Sequence, residues 1–121
     1  MVRTVGYQDP GRLEMIRRLE KASRESGSRL WAAVANDLSS ARKSRREINV
    51  HKIDKHTVEG EYVVVPGKVL GDGNMGHKVN VAAYKFTSGA ERKIKDAGGK
   101  TMGILELIKI NPKGNKVRLM G

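Results

Sequence analysis

The stretch that decides the fold is LSSARKSRREINVHKI, residues 38–53, in which a basic segment separates two apolar patterns. Two serines end a predicted helix, and four cations follow within five residues: Arg42, Lys43, Arg45 and Arg46. Ile48 and Val50 then alternate with polar residues, which is the period of a β-strand. We therefore expect a cationic loop held at both ends by packed elements. Such a loop suits a phosphate backbone better than a free tail does.

The net charge of the chain indicates which class of molecule it binds. The 121 residues include 24 Lys and Arg against 13 Asp and Glu, which gives a formal net charge of +11. An imbalance of this size on one small domain points to a polyanion, of which nucleic acid is the commonest. The alternative is a basic protein that has no such partner.

Several classes are excluded by what the sequence lacks. Cysteine is absent, so there are no disulfides and no thiolate metal sites. No apolar run approaches the length of a membrane span, and Asp9, Arg12 and Glu14 interrupt any signal-peptide core. We expect a soluble cytoplasmic protein.

Two helices are predicted before the basic loop. Asp9 caps the first, Pro10 takes its first position, and Gly27 stops it after Ser26. The second helix, capped by Ser28, runs to Leu38 with apolar residues at helical spacing. Trp31 lies on that apolar stripe, where core packing is the normal role of an aromatic side chain, and base stacking is the alternative.

After the basic loop, short strands alternate with short helices, which is an α/β pattern. The run Tyr62-Val63-Val64-Val65 is predicted to be a buried strand that ends at Pro66. Ser88 and Glu91 form a predicted capping box. The remaining predicted strands are 47–51, 78–86, 100–102 and 117–120, and the helices are 52–59, 88–97 and 104–110, the last with Leu105 and Ile108 facing inward.

The predicted organisation is a single domain covering 1–121. An extended arm (1–8) precedes a helical extension (9–38) and the basic loop (39–47). The α/β core (47–121) follows.

The glycine-rich motifs do not fit nucleotide-binding patterns. Gly67-Lys68 lacks both the upstream glycine spacing and the following Ser or Thr of a phosphate loop. Gly71, Gly73 and Gly76 make Gly-x-Gly-x-x-Gly, but between two strands, without the helix N-terminus that a pyrophosphate needs. The segment is predicted to be a turn surrounded by Lys68, His77 and Lys78. Close approach to RNA phosphate and a simple hairpin turn both remain open.

His51, Asp54 and His56 are the one cluster of potential metal ligands. No third suitable ligand or activated nucleophile accompanies the His51–Asp54 pair, so neither a metal site nor catalysis is expected. His51 is expected to pack beside the basic loop or to touch phosphate.

Four motifs together resemble a known family. They are similar to the signature of the large-subunit ribosomal protein "eighteen-e" family of archaea and eukaryotes. The four motifs are residues 38–53, VVVPGKVLG at 63–71, VAAYKF at 81–86 and AGGK at 97–100. That family is related to bacterial large-subunit ribosomal protein fifteen. The resemblance covers nearly the whole chain, and the compact length suits the archaeal branch. Arg46 departs from the small residue that is usual there.

The resemblance implies a non-catalytic structural component of the large ribosomal subunit that binds its rRNA, with neighbouring ribosomal proteins as further partners. No cofactor, membrane or small-molecule substrate is implied. The implied fold is α/β, with N-terminal helices followed by an irregular superhelix of short strand–strand–helix units. Matched RNA-binding positions are Arg42, Lys43, Arg45, Lys52, Gly67, Lys68 and Gly71. Charge and placement add Arg3, Arg46 and Lys78.

A different class of function remains as the alternative. The two N-terminal helices could form a helix-turn-helix that reads a DNA sequence, with residues 29–38 as the recognition helix. Its long or amide polar groups are Arg29, Asn36 and Asp37, which are few for a base-reading face.

Overall fold

The computed structural model describes residues 10–39 and 46–120, with only the backbone at Pro10, Arg12 and Arg46. The predictions for the arm at 1–8, for the cap Asp9, for Arg3 and for Arg42, Lys43 and Arg45 lie outside these residues. The helices are α1 (Pro10–Ser26), α2 (Arg29–Leu38), α3 (Val50–His56), α4 (Ser88–Asp96) and α5 (Ile104–Ile110). The strands are β1 (Arg46–Asn49), β2 (Glu61–Leu70), β3 (Val79–Phe86), β4 (Lys100–Gly103) and β5 (Val117–Leu119).

All strand pairs in the five-stranded sheet are parallel. The order is β1-β2-β3-β4, and β5 also pairs with β2. Strand β5 pairs with the amino half of β2, at Tyr62–Val64, whereas β1 pairs with its carboxyl half, at Gly67–Leu70. Because β3 occupies the other side of β2, the short strands β5 and β1 follow one another along a single edge.

The prediction that the buried strand ends at Pro66 is wrong, since β2 continues to Leu70. Pro66 lies between the β5 and β1 pairings, and the register with β3 shifts between Val65 and Lys68. A residue without an N–H is tolerated at such an irregularity. The missing donor therefore falls where the ladder is already interrupted.

The sheet is covered by helices on both faces. Helices α3 and α4 enclose one buried cluster, which includes Ile53, Val63, Val65 and Ile94. Helices α1, α2 and α5 enclose the other, which includes Trp31, Val64 and Leu107. Alternate residues of β2 thus enter opposite layers, as the period-2 geometry of a strand requires. The sequence pattern predicted α/β with N-terminal helices, and this is confirmed.

The first two helices have the predicted bounds. Gly27, at φ +77°, donates its N–H to the carbonyl of Ser23, and the Ser28 hydroxyl accepts from the Leu30 N–H at 3.3 Å. Trp31 is fully buried, as expected of a core residue. The two helices therefore pack as part of the domain core rather than as a separate appendage.

Three local predictions need correction. The cap of α4 is Thr87, whose Oγ1 accepts from the Ala90 N–H at 3.2 Å, so Ser88 is already helical. In α5 the fully buried side chains are Ile104 and Leu107, and Ile108 packs half-buried against the same cluster as predicted, whereas Leu105 does not belong to that cluster. Strand β1 ends at Asn49, so His51 lies in α3.

The strand–strand–helix unit that was expected to recur is found once among the described elements, as β2–β3–α4. Elsewhere single strands alternate with helices. None of the helices in the described ranges combines the length and the apolar character needed to cross a membrane.

Candidate nucleic-acid interface

The basic loop is framed by two buried residues. Leu38 is 0% exposed at the end of α2, and Ile48 is 2% exposed in β1. They belong to different clusters, one on each face of the sheet. The two ends of the loop are therefore anchored in opposite layers, and both are packed, as the sequence predicted.

Lys68 is the predicted site residue that the sheet places nearest to this segment. The backbone of Arg46, at the end of the basic loop, pairs with Gly67, a buried residue of β2. In the next register row, Lys68 lies between Glu47 of β1 and Lys85 of β3. Neighbouring strands lie about 4.8 Å apart. Two exposed lysines from adjacent strands thus stand side by side next to the end of the basic loop.

Lys85 was missed by the sequence analysis. It is exposed, and its Nζ lies 5.6 Å from the ring centroid of Tyr84. Its proximity to Lys68 depends on the parallel register of β2 and β3, which the order of residues does not reveal. Lys85 lies in the VAAYKF motif, but only the register shows that it stands beside Lys68.

The glycine-rich segment is a crossover and not a hairpin turn, because β2 and β3 are parallel. It runs beside α3 in the same direction. Asp72 accepts from the His51 N–H at 3.1 Å near the start of the helix, and Asp54 Oδ1 accepts from the Gly76 N–H at 2.8 Å further along. The segment therefore uses the surface of α3 in place of a crossover helix of its own.

The glycines in this segment allow close approach to the protein itself. A Cβ on Gly71 would stand 3.0 Å from the backbone N of Ala90 in α4, and one on Gly73, at φ +93°, would collide with the Cβ of His51. Lys93 of α4 fixes the same segment, since its Nζ donates to the carbonyls of Gly71 and Gly73 at 2.6 Å each. RNA contact by Gly71 stays a prediction, but packing already explains the glycine.

The imidazole of His77 joins the end of this segment to α3. Its Nδ1 lies 3.0 Å from Asp54 Oδ1, and its Nε2 lies 2.9 Å from Thr57 Oγ1. Thr57 uses its one hydroxyl hydrogen on the carbonyl of Ile53, at 2.6 Å. All three bonds exist together only when both ring nitrogens carry a hydrogen. His51 and Asp54 lie three residues apart in α3, as predicted, but the ion pair of Asp54 in the described ranges is with His77.

A metal site is not formed by these side chains. In residues 10–39 and 46–120, no three His, Asp or Glu side chains are grouped closely enough to hold an ion.

Two predicted residues lie away from Lys68. Lys52 is exposed in the first turn of α3. Lys78 is exposed immediately before Val79, which pairs with Glu61 at the amino end of β2. At about 3.3 Å per residue from Glu61 to Lys68, Lys78 stands roughly 23 Å along the sheet from Lys68. The prediction that Lys68 and Lys78 surround one turn is therefore wrong.

Four glutamates in the described ranges form ion pairs with Lys or Arg. The pairs are Glu14–Arg18, Lys21–Glu25, Glu91–Lys95 and Glu61–Arg118. Lys68, in contrast, makes no ion pair within the described ranges. Cations of this kind remain available to an external anion.

The proposed DNA-reading helix offers a poor surface. Trp31, Val34 and Leu38 of α2 are fully buried, and Arg29, Ala32 and Asn36 are its exposed residues. A recognition helix needs several side chains that reach base edges. The exposed side of α2 supplies two.

Comparison with known proteins identifies relatives of this chain. A family model of ribosomal proteins, whose description begins "Ribosomal proteins 50S-L15, 50S-L18e" and continues with a 60S protein, matches residues 27–102. A protein of Methanoregula boonei named large ribosomal subunit protein eL18 is 39% identical over 120 residues, covering 99% of each chain. Proteins of the same name from Archaeoglobus fulgidus and Thermoplasma acidophilum are each 46% identical, the former over 93% of this chain and 96% of its own, the latter over 87% and 88%. These relatives are archaeal, and the match extends over almost the whole chain. The chain therefore belongs to this family of large-subunit ribosomal proteins, as the resemblance of its motifs predicted.

Proposed function

We propose that the protein is a structural component of the large ribosomal subunit that binds large-subunit rRNA through its basic loop and exposed cations. The observation that carries the proposal is the framing of residues 40–45 between fully packed positions, Leu38 and Ile48. A loop tethered on both sides presents its charges with a smaller loss of conformational freedom on binding than a free tail does. The protein's location is the cytoplasmic ribosome, and neighbouring ribosomal proteins are further partners.

The mechanism is neutralisation of phosphate by cations held on a rigid frame. Arg42, Lys43, Arg45 and Arg46 contact the RNA backbone, and the row containing Lys68 and Lys85 extends the same surface onto the sheet. Such contacts position the protein rather than read a base sequence. Arginine additionally offers a planar fork for two phosphate oxygens or for stacking on an unpaired base. The folded domain acts as a spacer between RNA segments and performs no catalysis.

A charge-removal variant tests the proposal. Replacing Arg42, Lys43, Arg45 and Arg46 with Ala is expected to weaken binding to large-subunit rRNA. The slope of log affinity against log salt should decrease by up to about three to four units if most of these cations contact phosphate. Filter binding or fluorescence anisotropy over a salt series measures both quantities.

A matched control keeps the charges and changes their shape. Arg42→Lys, Arg45→Lys and Arg46→Lys together are expected to preserve the salt slope, because each ammonium still neutralises a phosphate. Circular dichroism melting of both variants establishes that the domain remains folded. An unchanged slope in the Ala variant would show that the loop does not contact phosphate.

Association with the subunit is tested separately. Tagged protein from a native lysate is expected to sediment with the large subunit through a gradient and to remain there at moderate salt. Nuclease treatment should release it. A free low-mass peak without RNA at physiological salt would contradict the ribosomal proposal.

A further inference from the structure

The turn that joins α5 to β5, residues 111–116, is fixed at the amino edge of the sheet by hydrogen bonds of its own and by contacts with α2. The Asn111 side chain donates from Nδ2 to the Asn115 carbonyl at 2.8 Å and accepts at Oδ1 from the Asn115 N–H at 3.3 Å. Trp31 Nε1 donates to the Pro112 carbonyl at 2.7 Å. Gly114, at φ +65°, lies so close to α2 that a Cβ there would stand 2.8 Å from Leu30 Cδ2. An exposed turn is thus held by several specific contacts.

Lys116 occupies the most costly backbone conformation on this turn. Its φ is +59°, and it is the only non-glycine residue with a positive φ in the described ranges. The left-handed region costs an ordinary L-residue about 1–2 kcal/mol, whereas glycine adopts it readily. A lysine at a position where glycine would be less strained is the observation from which a role for its side chain is inferred below.

The exposed cations around the turn are not matched by acids. Lys109, Lys113 and Lys116 make no ion pair within the described ranges, and Arg29 is exposed beside Leu30. The nearby acids are partly engaged, because Glu61 pairs with Arg118 at 2.8 Å and Glu25 lies 4.0 Å from Lys21. Glu59 lines a groove of about 810 Å³ together with Lys116. The surface therefore keeps an excess of positive charge.

This surface lies at the opposite end of the sheet from Lys68. Strand β5 starts at Val117, whose partner in β2 is Tyr62. Lys68 is six residues further along β2, roughly 20 Å at about 3.3 Å per residue. One RNA phosphate group cannot contact both surfaces.

We propose that the turn at 111–116 is a second phosphate-contacting surface, on which Lys113 and Lys116 bind an RNA segment distinct from the one at the basic loop. The inference rests on the proposed rRNA-binding function and adds a second point of attachment to it. The protein then bridges two RNA segments across the length of its sheet. Fixing the turn before binding lowers the entropy lost in the complex.

The first test separates folding from binding by means of Lys116→Gly. The variant should be at least as stable as the wild type in thermal melting, because glycine relieves the positive φ. The salt slope for large-subunit rRNA should nevertheless decrease by about 0.7–0.9, and by about twice that in the double variant with Lys113→Ala. If the Lys116→Gly protein is folded and its salt slope equals that of the wild type, the proposal is wrong. The groove beside Lys116 would then be tested as a site for a protein partner.

Asn111→Ala is the matched variant that retains every charge. It is expected to leave the salt slope unchanged and to lower the affinity roughly two- to tenfold, since the loosened turn has to be ordered on binding. A merely structural contribution of Asn111 would lower the melting temperature without changing the affinity of the folded protein. That outcome would show that fixing the turn before binding does not contribute to the affinity for RNA.

The second test exploits the absence of cysteine from the chain. Lys68→Cys and Lys113→Cys each give one attachment point for an iron chelate that cleaves nearby RNA. Two non-overlapping sets of cleavage sites are expected. If only the chelate at position 68 cleaves RNA, the proposal of a second surface is wrong, while the proposed function stands. If the wild type shows no salt-dependent binding to the RNA, the proposed function itself is wrong.

Discussion

At the scale of single residues, Glu61 shows how one carboxylate links three segments. Its Oε1 accepts from the Val58 N–H at 3.0 Å, and its Oε2 accepts from Arg118 Nε at 2.8 Å. The hydrogen bond from Val58 is the main cause that lowers the pKa of Glu61 below its usual value of about 4.5; Arg118 acts in the same direction, and burial opposes them. The ionised form therefore favours the folded state, in which β5 is joined to β2.

This shift predicts a stability that depends on acid pH. Because the folded pKa is depressed, the contribution of Glu61 is complete above the unfolded pKa and is lost as the pH falls through the folded pKa. Urea unfolding of the wild type and of Glu61→Gln should differ by a constant amount at neutral pH, and the difference should shrink below about pH 4.5. Glu59→Gln, an exposed neighbour, serves as the control. A difference between the wild type and Glu61→Gln that does not change between pH 6 and pH 3, roughly the range over which an Asp or Glu titrates, would contradict this explanation.

At the scale of elements, the crossover at 71–78 depends on α4 as well as on α3. Replacing Lys93 with Met removes the donor to the Gly71 and Gly73 carbonyls while keeping the apolar stem. We expect a loss of about 1–2 kcal/mol in the free energy of unfolding, in line with hydrogen bonds from a charged group. Hydrogen exchange should also become faster for amides of the crossover.

Lys95→Met is the matched control on the same helix. Lys95 pairs with Glu91 at 3.4 Å on the exposed side of α4, so its removal should cost less than about 0.5 kcal/mol. Equal losses for the two variants would mean that Lys93 does not hold the crossover.

Local patterns predicted elements well where local interactions form them. The periodicity of α1 and α2 and the Ser28 cap of α2 lie within the segments themselves, and the bounds of both helices were correct. Strand β2 was predicted too short because the gap that accommodates Pro66 is created by β1 and β5, which are remote in sequence. Lys68 was predicted as a site residue from its motif. That Lys85 stands beside it could not be predicted, because this depends on the register between β2 and β3.

At the scale of the whole molecule, Trp31 connects the 111–116 turn to the core. It is fully buried between the N-terminal helices and the sheet, and it also holds the 111–116 turn through Pro112. Trp31→Ala is expected to cost about 3–5 kcal/mol in the free energy of unfolding. Denaturant titration followed by circular dichroism measures this loss without relying on tryptophan fluorescence.

Trp31→Phe distinguishes packing from the hydrogen bond. The phenyl ring retains much of the buried area, so the loss of stability should be clearly smaller than for Ala. Both variants lack the Nε1 donor, and hydrogen exchange at Gly114 and Asn115 should therefore accelerate in both. Acceleration in the Ala variant alone would assign the turn's rigidity to packing and not to the bond to Pro112.

The place of β5 has a consequence for biosynthesis. It is the last of the described strands to be synthesised, yet its partners Tyr62–Val64 lie in the middle of the sequence. Until Leu119 has left the exit tunnel, the amino half of β2 keeps an unpaired edge within a chain of net charge +11. Pairings between distant segments form slowly, and exposed edges invite aggregation. The newly made protein therefore completes this sheet only after β5 has emerged, and the interval before that is the stage at which a chaperone or early capture by RNA would protect it most.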